Sequence, residues 1–460
     1  MNTTPANLRP SLNKVAVPIV GEFVLGISVA MAGLFLAAQT SDAAASTFGL
    51  TQQVLETLFV AFRVLAIGTS ILITQRLGAA QTEQARQTAF AALGASTWAG
   101  VGVALCLLFA DRWTLDILNA PDELWPAASL YMALLAPSMA LEAYNLSMAA
   151  VLRAHLYARE SFWIMVAMHG SHLLLAVLFM RGLGSWAGWG LNGYALAWFI
   201  SRCIGVALHI GLWRARMGLR PKRQHWWRVS LPTLWPILQI GLPGAAHELT
   251  YRLAFMVSLS ATARLGVAAL ATHSYSLQTL KFVALISLSI GWACEIMVGR
   301  LVGAGQLRQA DLMVRKGVRN GMLASGTLVL FSAMAAPWLM QAFTKDPAII
   351  AAAQTLLWMS VLLELSRVFN LILVGALRAT GDVHFPVYAG TASIMLFLGG
   401  GSYFLGRTFG LPGIWLAYIA DEGCRGLIMW WRWHRRGWLP HARRTLGAMR
   451  YQGLPKDDAS

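Results

Sequence analysis

Three polar side chains lie one helical turn apart inside an otherwise apolar stretch. In "LLELSRVFNLILVGALRATGDVHFP" (residues 362–386), Glu364, Arg367 and Asn370 fall at i, i+3 and i+6 and so form one stripe on a helix. A second stretch, "PGAAHELTYRL", places His247 beside Glu248, with Arg252 four residues later. A third, "EAYNLSMAAVLRA", holds Glu142 and Asn145, and Glu22 is the sole acid of the first long apolar segment. An ionisable group in hydrocarbon costs roughly 2.5–3.5 kcal/mol on insertion scales, so such groups need a reason to be there. One reason is pairing that pins helix packing; the other is a proton, ion or substrate pathway. Glu422 and Arg425 read as the first kind, an intrahelical pair. Glu364 and Arg367 fit either. Glu248, beside a titratable His, could exchange a proton near neutral pH. His169 and His172 have the i, i+3 spacing of a metal or proton site, but no acid or Cys accompanies them, which favours a polar cavity lining.

The elements that carry these residues follow from composition. The 460 residues are 57% hydrophobic and 12% charged, with a mean hydropathy of +0.57. Soluble domains carry about 25% charged residues, so this is a polytopic membrane protein. About 20 apolar residues cross the hydrocarbon core. That window yields twelve spans, beginning near Val15, Val54, Ala89, Ala127, Ser161, Trp189, Leu234, Ser274, Gly321, Ile350, Val387 and Leu411. The four cysteines each stand alone in apolar runs, which predicts neither disulfides nor a metal site.

With a cytoplasmic N-terminus, 25 Lys and Arg residues from Arg9 to Lys456 fall on the cytoplasmic side and 5 on the other. This is the asymmetry of a plasma-membrane protein with both termini in the cytoplasm. It accounts for the net charge of +16 as a rim facing anionic membrane lipid, without nucleic acid.

The chain also repeats itself. "GAAQTEQA" from Gly78 is answered by "GAGQLRQA" from Gly303, "EAYNLSMAAVLRA" by "RVFNLILVGALRA", and Pro18 by Pro243, all at an offset of 225. "GLNGYALAW" from Gly190 is answered by "GLPGIWLAY" from Gly410 at 220. The expected fold is therefore all-α, twelve transmembrane helices in two pseudo-symmetric six-helix lobes. The N-lobe covers 1–213, a basic cytoplasmic linker 214–231, and the C-lobe with its basic tail 232–460. Parallel repeats of this kind suit alternating access around a midplane site. Asn145 and Asn370 are equivalent under the repeat, and spans 1, 4, 7 and 10 are the polar helices. No nucleophile–base constellation or HExxH motif points to an enzyme. An ion channel fits poorly with a two-lobed repeat. A lipid-linked sugar flippase, the alternative, would need several unpaired arginines, whereas Arg252 and Arg367 each have an acid within a turn.

Over nearly its whole length the sequence resembles the multidrug and toxic compound extrusion (MATE) transporters. The resemblance rests on "QRLGAAQTEQA", "GRLVGAGQLRQA", "LRATGDVHFP", "GLPGAAHE" and "GIWLAYIADEGCRGLIMWWRW" in order and spacing. It implies two six-helix lobes in a V and antiport of organic, often cationic and amphipathic compounds or drugs against protons or sodium ions. No cofactor is implied, and a monomer is the expected functional unit. Acids of spans 1, 7 and 10 take part in coupling in that family. Carried over by position they are Glu248 and Glu364, each one turn before the acidic position of the sodium-coupled branch, which here holds Tyr251 and Arg367. The span 1 acid corresponds to Gly33. Protons are the favoured coupling ion, since Arg367 would oppose sodium.

Overall fold

A computed structural model describes residues 11–117, 121–183 and 185–452. Arg9 and Lys456 lie outside the described residues. The helices are α1 (Leu12–Thr40), α2 (Asp42–Leu58), α3 (Val60–Gly78), α4 (Thr82–Phe109), α5 (Asp111–Ile117), α6 (Trp125–Leu135), α7 (Ser138–Ala154), α8 (Ala158–Arg181) and α9 (Gly190–Met217). They continue as α10 (Leu231–Ala263), α11 (Val267–Gly303), α12 (Leu307–Met334), α13 (Ala336–Gln341), α14 (Pro347–Thr380), α15 (His384–Ser393), α16 (Ser402–His434) and α17 (Leu439–Gln452). Among the described residues there is no strand beyond one isolated bridge, Leu183 to Trp186.

The protein is an all-α, twelve-helix membrane protein; eleven of the twelve expected starts fall inside helices, and the twelfth, Trp189, is the residue that caps α9. Among the described residues, seven helical runs are individually long and apolar enough to cross a membrane, and α6–α7 makes an eighth, bent by 53°. That bend sits at Pro137, which cannot donate a backbone hydrogen bond and crowds the preceding turn. Spans 11 and 12 need a structural boundary. After α15 the chain runs through a π-helical stretch, Ile394–Gly401, into α16. Gly410 then turns to φ 63°, ψ −144°, with Pro412 just beyond, and so separates the two spans.

Backbone contacts divide the chain into two compact units. One holds Gly21–Ile73 and Thr82–Gly241, with a core that includes Phe48, Tyr131, Tyr194 and Trp198. The other holds the described residues up to Val20, Thr74–Gln81 and the described residues from Leu242, with a core around Leu363, Trp415 and Tyr418. Inside this second unit the two repeated Gly-Ala motifs meet. A Cβ added to Gly78 would overlap the Arg300 carbonyl oxygen, and one added to Gly303 would overlap that of Gln75. Only glycine permits so close a crossing of α3 and α11. The Gln75 side chain also donates to the Ala379 carbonyl at 2.9 Å.

The basic linker is docked rather than loose. Its turn Arg223–Trp226 lies against α4, where His225 stacks on Phe90 at 4.2 Å and the Trp98 indole donates to the Trp227 carbonyl at 2.9 Å. A Cβ at Gly94 would overlap the Arg228 carbonyl oxygen. His225 is harder to protonate than a free imidazole, through partial burial first and then the charges of Lys222 and Arg86.

Candidate functional site

The polar stripe of α14 does not stand alone. Glu364 is fully buried and pairs with Arg367 one turn on. Arg367 reaches across to α16, where its Nε lies 3.4 Å from Glu422 Oε1. The Asn370 amide donates to the other oxygen of Glu422 at 2.8 Å. Glu422 also meets Arg425 at 3.1 Å, and Arg425 forks onto Asp421 at 2.6 and 3.1 Å. Asp421 finally accepts from the Ser393 hydroxyl at 2.8 Å. Three carboxylates thus face two guanidiniums in one buried group. Among the described residues, Glu364 Oε2 and Asn370 Oδ1 find no hydrogen-bond partner.

The Glu422–Arg425 pair is therefore not only intrahelical: it is the α16 side of the α14 stripe. Asp421 and Ser393 were not among the residues singled out from sequence. Asp421 sits beside Glu422 in sequence, and its spacing to Arg425, i to i+4, was a readable signal.

Glu248 and Arg252 of α10 pair at 3.3 Å with about a third of each side chain exposed, in contrast to the closed group around Glu364. His247 packs so tightly on α15 that a Cβ at Gly390 would overlap its ring.

In the other unit, Glu142 on α7 pairs with Arg202 on α9 at 2.6 Å, and both are buried. The guanidinium lies 3.9 Å over the Trp198 ring and donates to Ser201 at 3.2 Å. Asn145 donates to the Arg202 carbonyl at 3.1 Å and faces His209 Nδ1 at 3.1 Å. His172 is held edge-on by Tyr194 and Trp198, at 4.6 and 5.4 Å, with Ser201 at 3.4 Å. His169 is buried on the same helix. Glu22 pairs with Arg153 at 2.8 Å. Arg153, one of the Lys and Arg residues counted to the cytoplasmic side, is a buried ion-pair partner in the last turn of α7. Its repeat equivalent Arg378 pairs with a different acid, Glu295, at 2.6 Å. Gly33 has no room for a carboxylate, because a Cβ there would lie 2.5 Å from the Tyr194 hydroxyl.

Under the repeat, Glu142 corresponds to Arg367 at 225 and Arg202 to Glu422 at 220. Each half therefore contains the same cross-helix ion pair with its charges exchanged. Asn145 and Asn370 attend the pair in both, one donating to the partner's backbone and the other to its carboxylate.

The MatE family profile matches residues 18–178 and 243–399, one match in each half and each opening at a repeat-equivalent proline. The chain belongs to the MatE family. It is accordingly a multi-pass membrane transporter. An "Uncharacterized transporter YisQ" from Bacillus subtilis (strain 168) is 29% identical over 95% of this chain and 96% of its own length. A "Probable multidrug resistance protein NorM" from Thermotoga maritima is 24% identical, over 90% of this chain and 89% of its own length. Among solved structures, one described as the outward-facing conformation of a multidrug resistance MATE family transporter superposes with a TM-score of 0.83. It is 19% identical, covers 98% of this chain and 100% of its own, and establishes the shared MatE fold.

Proposed function

We propose that this MatE protein is a proton-coupled antiporter that exports organic, cationic and amphipathic compounds by alternating access. Its place is the plasma membrane, with both termini cytoplasmic, in keeping with the 25-to-5 distribution of Lys and Arg. The observation that carries the coupling is the charge count around Glu364. Three carboxylates against two guanidiniums, all buried except the partly exposed Arg367, leave one negative charge unbalanced if every group is ionised. Burying an unbalanced charge is costly, and one proton removes it.

Glu364 is the residue for that proton, being fully buried with one oxygen unpartnered. When it is ionised, Arg367 is shared between Glu364 and Glu422. When it is protonated, Arg367 belongs to Glu422 alone, so each proton taken or lost resets the contact between α14 and α16. A sodium ion would compete with Arg367 for the same oxygens. The Glu142–Arg202 pair is balanced and needs no proton, which suits a supporting role. Glu248, with Arg252, is the second candidate coupling acid. The export of drugs rests on the multidrug resistance relatives. A flippase for lipid-linked sugars would want free arginines, whereas Arg202, Arg252, Arg367 and Arg425 each meet a carboxylate.

The test is ethidium movement in proteoliposomes under an imposed proton gradient and, separately, a sodium gradient. Movement driven by the proton gradient alone, and abolished in Glu364→Gln, is the expected result. Movement driven by sodium, or unaffected by Glu364→Gln, overturns the coupling assigned here. Loss in Glu248→Gln but not in Glu364→Gln would transfer the role to α10.

A further inference from the structure

At the end of the second unit where basic residues gather, the first turns of α12 and the turn between α16 and α17 enclose a cavity of about 460 Å³. Arg308, Arg315, Arg436 and Arg443 line it with His434, and Trp433 and Trp438 lie at its back. The two indoles stack at 4.5 Å and 12°. One acid lines the cavity, Asp311, and it is occupied: it accepts from Arg315 at 3.0 Å and from the Trp433 indole at 2.8 Å. Cationic charge therefore exceeds anionic charge in a concave, aromatic-walled space.

The turn that shapes the cavity is held firmly. Arg436 takes the left-handed conformation, φ 58°, which is uncommon for a residue with a side chain. Gly437 N–H donates to the Arg432 carbonyl at 3.0 Å, and Arg432 is itself tied to Asp382 at 2.9 Å. Part of the lining is apolar and open: Leu312 is 57% exposed. A cationic cavity with an apolar lip matches an amphiphile with an acidic head.

The same arrangement recurs in the first half. There the start of α4, equivalent to the start of α12 at the offset of 225, meets the basic linker that follows α9. A cavity of about 430 Å³ opens between them, lined by Gln87, Phe90, His225, Arg228, Ser230 and Thr233, with no acid. The two halves have kept a donor-rich cavity at this place with little identity in the residues that line it.

We propose that the α12–α17 cavity seats the headgroup of an anionic phospholipid, its phosphate held by Arg308, Arg436 and Arg443 and its acyl chains leaving over Leu312. The proposal rests on the reading that this face lies at the cytoplasmic leaflet. Its test is a binding measurement and so succeeds or fails apart from transport.

The experiment is native mass spectrometry of the full-length protein in detergent, titrated with phosphatidylglycerol, phosphatidylcholine or glycerol phosphate. Wild type is compared with the triple variant Arg308→Gln, Arg436→Gln, Arg443→Gln. A control triple, Arg214→Gln, Arg216→Gln, Arg220→Gln, removes equal charge from the linker without touching either cavity. At about fivefold for each Arg that holds the phosphate, the cavity triple is expected to weaken phosphatidylglycerol binding about a hundredfold, and the control little. The single variant Arg443→Gln, expected to lose about fivefold, keeps the test open should the triple fail to fold. Equal loss in both triples would mean diffuse attraction and overturn the site. Phosphatidylcholine bound as tightly as phosphatidylglycerol would overturn it too. Glycerol phosphate displacing the lipid at equal concentration would assign the cavity to a soluble phosphate and overturn the lipid.

Discussion

Glu364 and Arg367 are joined one turn apart on α14, yet only Arg367 has a second carboxylate, Glu422, within reach. The asymmetry separates their roles and gives the first prediction. Glu364→Gln keeps the shape of the side chain and removes its charge, leaving a balanced group of two carboxylates and two guanidiniums. The variant should fold with a melting temperature near wild type while losing proton-driven transport. Arg367→Met removes a charge shared by two carboxylates. Breaking a buried pair from one side costs about 3–5 kcal/mol, so this variant should accumulate poorly and melt well below wild type by a tryptophan-fluorescence or scanning-calorimetry readout.

The Glu142–Arg202 pair permits a reciprocal exchange. Glu142→Arg or Arg202→Glu alone places like charges about 3 Å apart in a buried site and should abolish folded protein in size-exclusion chromatography. The double exchange copies the arrangement already present at Arg367 and Glu422 and should recover a monodisperse peak. A double variant no better than the singles would mean that the Trp198 face requires a guanidinium from that one side.

Gly303 offers a purely steric test. In Gly303→Ala the new Cβ meets the Gln75 carbonyl, backbone that cannot swing away. Overpacking of that kind costs about 1–3 kcal/mol or more, to be read as a lowered melting temperature. Gly102→Ala, with open space around the new Cβ, should be neutral or slightly stabilising.

The linker supplies a pH dependence. Folding makes His225 harder to protonate than in the unfolded chain, so the undocked linker binds the proton more tightly. Docking is therefore complete above the free imidazole range near 6.5 and weakens as the pH falls through it. Fluorescence of Trp226 and Trp227, read against variants that lack each, should report undocking between about pH 7 and pH 5. His225→Phe keeps the stack on Phe90 and should flatten that profile.

Gly33 packs directly against the Tyr194 side chain. Gly33→Asp should destabilise the protein, because the Tyr194 hydroxyl occupies the space beside it. Adding Tyr194→Phe should recover part of the loss in a thermal melt.

Much of this was legible in the sequence. Hydropathy and the offset of 225 gave the twelve helices, and the positions of Asn145 and Asn370 pointed to the two helices that carry the cross-helix pairs. Helical spacing revealed Glu364 with Arg367 because those contacts are local. It could not reveal Arg367 with Glu422, or Glu142 with Arg202, since partners 55 and 60 residues apart meet only through packing. The second offset, 220, held the missing clue: it maps Arg202 onto Glu422. The pairing of Arg153 is hidden for a related reason, because its partner Glu22 lies 131 residues away. The prominence given to Glu248 came from its neighbour His247 in sequence, whereas burial sets Glu364 apart.

The exchanged charges also constrain how the two halves could have diverged. Had the halves begun as identical copies carrying such a pair, one of them would have had to exchange its charges. Any single step along that route leaves two like charges, or one lone charge, in a buried site. Once completed, neither half can drift back by one substitution at a time. The two halves of this chain are thus no longer spare parts for each other, and a gene built from two copies of the first half would lack the α14–α16 group altogether.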